Sequence, residues 1–118
     1  MVSGILELPT EKGLSVFGTE AYYKGPAGRV RRFTYRTDGF VSLQARKKSG
    51  EFHSRPLRFA GKNLELNFVT ENGGEIRVEL QDEKEKPLLG FGLEDCTILK
   101  GNDIASAVSW KGGDLDKL

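Results

Sequence analysis

Four acidic side chains are the first candidates for chemistry. Hydrolysis of a glycosidic bond needs two carboxylates flanking the scissile bond, roughly 5–10 Å apart. Glu20, Glu94, Asp95 and Asp103 are the residues considered for that role. Glu94 and Asp95 are neighbours, so on a strand they would point to opposite faces. No pair presents itself, and catalysis is not expected. Recognition of a sugar without hydrolysis needs flat rings that stack on its C–H face and polar groups that bond its hydroxyls. Trp110, Tyr22, Tyr23 and Tyr35 supply rings, with Arg31, Arg32 and Arg36 as polar companions. A core or seam position is the commoner use of a lone tryptophan and remains the competing reading of Trp110. Because Tyr22 and Tyr23 are adjacent, a strand there could turn only one of them inward.

Other chemistries find less support. His53 is the only histidine and Cys96 the only cysteine, so no intrachain disulfide, no zinc site and no cofactor are expected. Asp95, Asn102 and Asp103 carry oxygen ligands, but without the spacing of a calcium loop. Gly90-Phe-Gly-Leu-Glu-Asp precedes no helical pattern and is not read as a dinucleotide loop. Between Lys24 and Lys62, 11 Lys and Arg face two acids, a local charge of +9 that leaves −8 for the remainder of a chain with net charge +1. Arg46, Lys47, Lys48, Arg55 and Arg58 could neutralise phosphates. They lack an RNP-type aromatic motif, so nucleic acid is not the expected partner. Basic side chains on strand edges are the plainer reading.

The elements that must position these residues are strands. At 118 residues the chain allows one packed core. Apolar runs at Ile5–Leu8, which Pro9 stops, and at Leu14–Phe17, after Lys12-Gly13, are strand-length. Ala21–Tyr23 precedes a turn at residues 24–28. Arg29–Thr37 is rich in β-formers but sorts poorly: Arg29, Arg31, Phe33 and Tyr35 share one face, Val30, Arg32, Thr34 and Arg36 the other. Asp38-Gly39 is a turn signal. Beyond it Val41, Leu43 and Ala45 alternate with Ser42, Gln44 and Arg46, up to a polar turn at Lys47-Lys48. Pro56 marks Glu51–Phe59 as an edge or a bend. Leu64, Leu66, Phe68 and Ile76, Val78, Leu80 alternate on either side of Glu71-Asn72-Gly73-Gly74, which predicts a hairpin. Leu88–Leu93, Thr97–Leu99 and Ala105–Trp110 are three further expected strands. No helical stripe persists for three turns, and no apolar run approaches the roughly 20 residues of a membrane helix. The start lacks the pattern of a signal peptide. The predicted fold is mainly β, a sandwich.

Four strings occur in a telling order: Thr19-Glu-Ala-Tyr-Tyr-Lys-Gly-Pro, Arg31-Arg-Phe-Thr-Tyr-Arg-Thr-Asp-Gly-Phe-Val-Ser, Pro87-Leu-Leu-Gly-Phe-Gly-Leu-Glu-Asp-Cys and Val108-Ser-Trp-Lys-Gly-Gly. Together they resemble the C-terminal region of bacterial glycoside-hydrolase-like proteins, in which a five-bladed β-propeller related to families 32 and 43 precedes a β-sandwich. The resemblance implies that residues 1–36 are strands like those of a last propeller blade. It implies a jelly-roll-like β-sandwich over residues 37–118, with Asp38-Gly39 at the junction. Glu20 would fall on the last blade as the most plausible remnant of a propeller site, without a catalytic partner because the other blades are missing. The family pattern continues past Trp-Lys-Gly-Gly and begins long before residue 1, so the chain is expected to be cut at both ends. The function implied is that of a non-catalytic accessory module that binds carbohydrate or braces the propeller. A purely structural or protein-interaction sandwich without ligand is the alternative. Open sheet edges are expected to favour a homo-oligomer.

Overall fold

The computed structural model describes residues 2–8, 13–46 and 48–118. Pro9, Lys12 and Lys47, which carry punctuation roles in the sequence reading, lie outside them. The chain is mainly β: its strands are antiparallel, and the described residues hold no α-helix and two 3-10 turns, Gly25–Ala27 and Leu115–Lys117. Among the described residues no helix is long and apolar enough to cross a membrane. Two compact units divide it, Met1–Gln44 and Ala45–Leu118.

The first unit is a meander of β1 (Val2–Glu7), β2 (Leu14–Glu20) and β3 (Arg29–Tyr35) in that order. Register sets its faces. Ile5, Val16 and Phe33 lie across from one another, as do Glu7, Leu14 and Tyr35. Gly4 is the extra residue where the β1 register shifts between Ser3 and Ile5, and its φ of 28° is one that a side chain disfavours. On the opposite face Ser15 is fully buried, and Arg32 donates to its Oγ from Nε (3.1 Å) and Nη2 (2.9 Å). The guanidinium thereby covers the middle of β2. β3 is exposed along its whole length. Its poor face sorting follows from that: an edge strand with neither side covered has no apolar face to segregate.

The second unit holds β4 (Leu64–Val69) paired with β5 (Asn102–Val108). Its core is Phe68, Phe91, Cys96, Leu99, Val108, Trp110 and Leu115, with Leu64, Leu66, Ile76, Val78, Leu80 and Leu88 packed against it. Alternation therefore sends the expected side chains inward, while the pairing differs from expectation. The predicted hairpin turn does form. Asn72 and Gly73 both take positive φ (52° and 79°), and Gly74 N–H donates to Glu71 O at 2.9 Å. Yet Leu64–Val69 does not pair with Ile76–Leu80. Thr70 stands between them, donating its N–H to Gly101 O (2.7 Å) and accepting Gly101 N–H on Oγ1 (2.7 Å), which ties the end of β4 to β5. Ile76 instead exchanges two 3.0 Å backbone bonds with Leu99. A turn reverses the chain without dictating which neighbour each arm finds.

Five further segments depart from expectation. Val41–Arg46 and Glu51–Phe59 form no strand and are exposed throughout the described residues. Ala21–Tyr23 is a turn: Ala21 has φ 53° and Lys24 N–H bonds Ala21 O at 2.9 Å. Leu88–Leu93 is a tight loop in which Gly90 has φ 84°, Phe91 points into the core and Leu89 is 99% exposed. Thr97–Leu99 contributes backbone bonds to Ser109 and Ile76 but remains a bridge segment outside the regular strands.

Candidate functional site

The end of β2 and the start of β3 face each other, which sets Glu20 opposite Arg29. Arg31 lies on the same face two residues along. The Glu20 carboxylate takes both: Arg29 Nε reaches Oε2 at 2.7 Å and Arg31 Nε reaches Oε1 at 2.9 Å. With side chains 66% and 51% exposed for the arginines and 30% for Glu20, these pairs orient the groups and add little stability. The carboxylate that the sequence offers for acid chemistry is thus engaged as a fork between two guanidiniums. The turn leaving Glu20 presents Tyr22 and Tyr23. Their ring centroids are 4.7 Å apart with planes at 82°, an open corner of two rings that are 63% and 92% exposed. Such edge-to-face contact suits the ring quadrupoles.

Tyr35 belongs to the other end of β3. Six residues at about 3.3 Å each separate it from Arg29 by roughly 20 Å. There the turn at Thr37–Gly39, with Asp38 at φ 52° and Gly39 N–H bonded to Arg36 O at 3.0 Å, folds Phe40 back onto Tyr35. The two centroids are 5.7 Å apart. Arg36 is half-buried beside that turn, and Arg32 is committed to Ser15 on the opposite face from Arg31. Trp110 lies in the second unit, 7% exposed; its Nε1 donates to Val78 O at 2.8 Å and its ring packs on Phe91. A ring so enclosed presents no face for stacking. Of the seven residues considered for sugar binding, the fold groups Tyr22, Tyr23 and Arg31 near one end of the first sheet. Tyr35 and Arg36 lie at its other end.

The remaining acids hold turns together. Asp95 Oδ2 accepts Gly92 N–H (3.4 Å) while Lys111 Nζ approaches Oδ1 at 3.7 Å. Asp103 Oδ1 accepts Ala105 N–H at 3.2 Å, and Glu94 is exposed. Glu79, not singled out from sequence, accepts Leu93 N–H (3.3 Å) and Gln81 Nε2 (2.8 Å). Cys96 is buried: Val78 N–H donates to its Sγ (3.3 Å) and the thiol donates to Thr97 O (3.2 Å). His53 is exposed, and no group of acids, His and Cys among the described residues could hold a metal ion. Arg29 is the site residue that sequence reasoning overlooks. Its signal is the cross-strand pairing with Glu20, legible only once the β2–β3 register is known. Comparison of the chain with protein-family models, with curated proteins and with solved structures yields no match.

Proposed function

We propose that the chain is a non-catalytic accessory module of a glycoside-hydrolase-like protein, a propeller-blade remnant joined to a jelly-roll-like sandwich, and that it binds carbohydrate. The observation that carries this reading is the Tyr22–Tyr23 corner beside the Glu20–Arg29–Arg31 fork. One ring offers a platform for the C–H face of a sugar and the other a wall at its edge. The charged fork beside them offers acceptors and donors for hydroxyls. Engagement of Glu20 by two arginines supports a binding role for that carboxylate over a hydrolytic one.

Saturation-transfer NMR with a panel of neutral and acidic oligosaccharides tests it, read on the tyrosine rings. Trp110 fluorescence is a poor reporter here, because its ring is enclosed. Tyr22→Ala and Tyr23→Ala are each expected to weaken binding roughly 3- to 10-fold, the scale of one ring contact. Since both rings are exposed, folding should not change. Absence of transfer from every sugar overturns the binding reading.

A second reading, bracing of a larger partner without a ligand, draws on a different observation. β3 is an edge strand with Val30 70%, Phe33 40% and Tyr35 41% exposed. Apolar surface of that kind, on a strand with an open side, suits β-addition by a neighbouring element.

A further inference from the structure

The second unit carries two runs of opposite character. From Arg46 to Lys62 there are six bases against Glu51 alone, a net +5. The same run exposes Phe52 (71%), Leu57 (73%) and Phe59 (60%). From Glu71 to Asp95 there are eight acids against Arg77, Lys84 and Lys86, a net −5. That run exposes Leu89 (99%) and Leu93 (49%). Lys48, Arg55 and Arg58 have no ion-pair partner among the described residues, whereas Lys62 reaches Asp116 at 3.6 Å. Large apolar side chains held in the open among charges mark a surface that a partner covers.

We infer that the partner is a second copy of this chain. The basic, apolar run of one copy lies on the acidic, apolar run of the other, and the reverse contact forms at the same time. With both contacts formed about one two-fold axis the dimer is isologous and closed, since each copy gives and receives both. The five exposed apolar side chains present roughly 600 Å² per copy. A standard interface buries about 800 Å² per partner, a little over half of it apolar, so the surface is sufficient. Opposite charges around the apolar centres fix the orientation and exclude like-on-like stacking. This interface belongs to the second unit, and it differs from the open-edge pairing expected from sequence. It shares with the proposed function only the premise that the chain works against a partner.

Sedimentation velocity on the whole chain tests it. A dimer is expected at tens of micromolar in ~50 mM salt, and its dissociation constant should rise at least tenfold at ~0.5 M salt, where charges are screened beyond a few ångströms. Arg55→Glu with Arg58→Glu should give a monomer, as should Glu83→Lys with Glu85→Lys. An equimolar mixture of the two variants should form a heterodimer, which mere damage to folding could not produce. A monomeric wild type overturns the proposal, as does a dimer indifferent to both reversals or a mixture that stays monomeric. The sugar titration reads a different unit, so failure of one experiment leaves the other standing.

Discussion

Trp110→Ala is expected to unfold the Ala45–Leu118 unit at room temperature, or nearly so. The side chain is 7% exposed and belongs to the cluster that includes Phe68, Phe91, Cys96, Leu99, Val108 and Leu115. Truncating a buried aromatic to alanine costs about 3–5 kcal/mol. The change also orphans Val78 O, whose 2.8 Å bond comes from the indole, and an unpaired buried carbonyl adds ~1–3 kcal/mol. Domains of this size have about 4–11 kcal/mol in all. Trp110→Phe isolates the second effect: it keeps a ring against Phe91 and loses the donor, so it should cost about half as much. Urea unfolding followed by far-UV circular dichroism checks both, because each variant lacks the chain's only tryptophan. Unchanged midpoints would place Trp110 outside the core.

The next largest loss is expected where Gly90 and Gly112 touch. Gly112 N–H donates to Gly90 O at 2.8 Å, and the two backbones approach so closely that neither position has room for a methyl group. A Cβ at Gly112 would sit 2.7 Å from Gly90 O and 2.9 Å from a Phe91 ring carbon. A Cβ at Gly90 would sit 2.8 Å from Gly112 Cα, and Gly90 also has φ 84°. Overpacking against backbone costs about 1–3 kcal/mol. A left-handed conformation adds ~1–2 kcal/mol for a residue with a side chain. Gly90→Ala should therefore exceed Gly112→Ala. Gly73 supplies the control, with φ 79° and open space around its missing Cβ. Gly73→Ala should show the conformational cost alone. The expected order of urea midpoints is wild type, Gly73→Ala, Gly112→Ala, Gly90→Ala, and an inversion of the first and last alanine variants would refute the packing argument.

Alternation was readable along Leu64–Phe68 and Ile76–Leu80 because each apolar residue faces the core whatever strand lies alongside. The Asn72-Gly73 turn was readable because those residue types tolerate positive φ. Partner choice was not, since the Thr70–Gly101 clamp joins residues far apart in sequence and leaves no local trace. Val41, Leu43 and Ala45 show the converse: their alternation is that of a strand, yet pairing is a property of the neighbour and none arrives. At the candidate site, Tyr22 and Tyr23 could be named from their types, but their perpendicular corner comes from the left-handed Ala21 in the turn. The Glu20–Arg29–Arg31 fork waits on register in the same way. Trp110 was readable both as a ligand platform and as a core residue, and only its enclosure by Phe91 and its bond to Val78 distinguish the two.

The single thiol lends the second unit an internal clock. Cys96 is 6% exposed and its sulfur is bonded on both sides, so a thiol reagent can reach it only when the surrounding structure opens. Where reclosing outpaces reaction, the labelling rate relative to a free thiol gives the population of the open form directly. Labelling of the wild type should be slowed by orders of magnitude, and Gly112→Ala should accelerate it in proportion to its loss of stability. One cysteine, buried among the core residues, thus lets the opening equilibrium be read under native conditions, without denaturant and without an introduced probe.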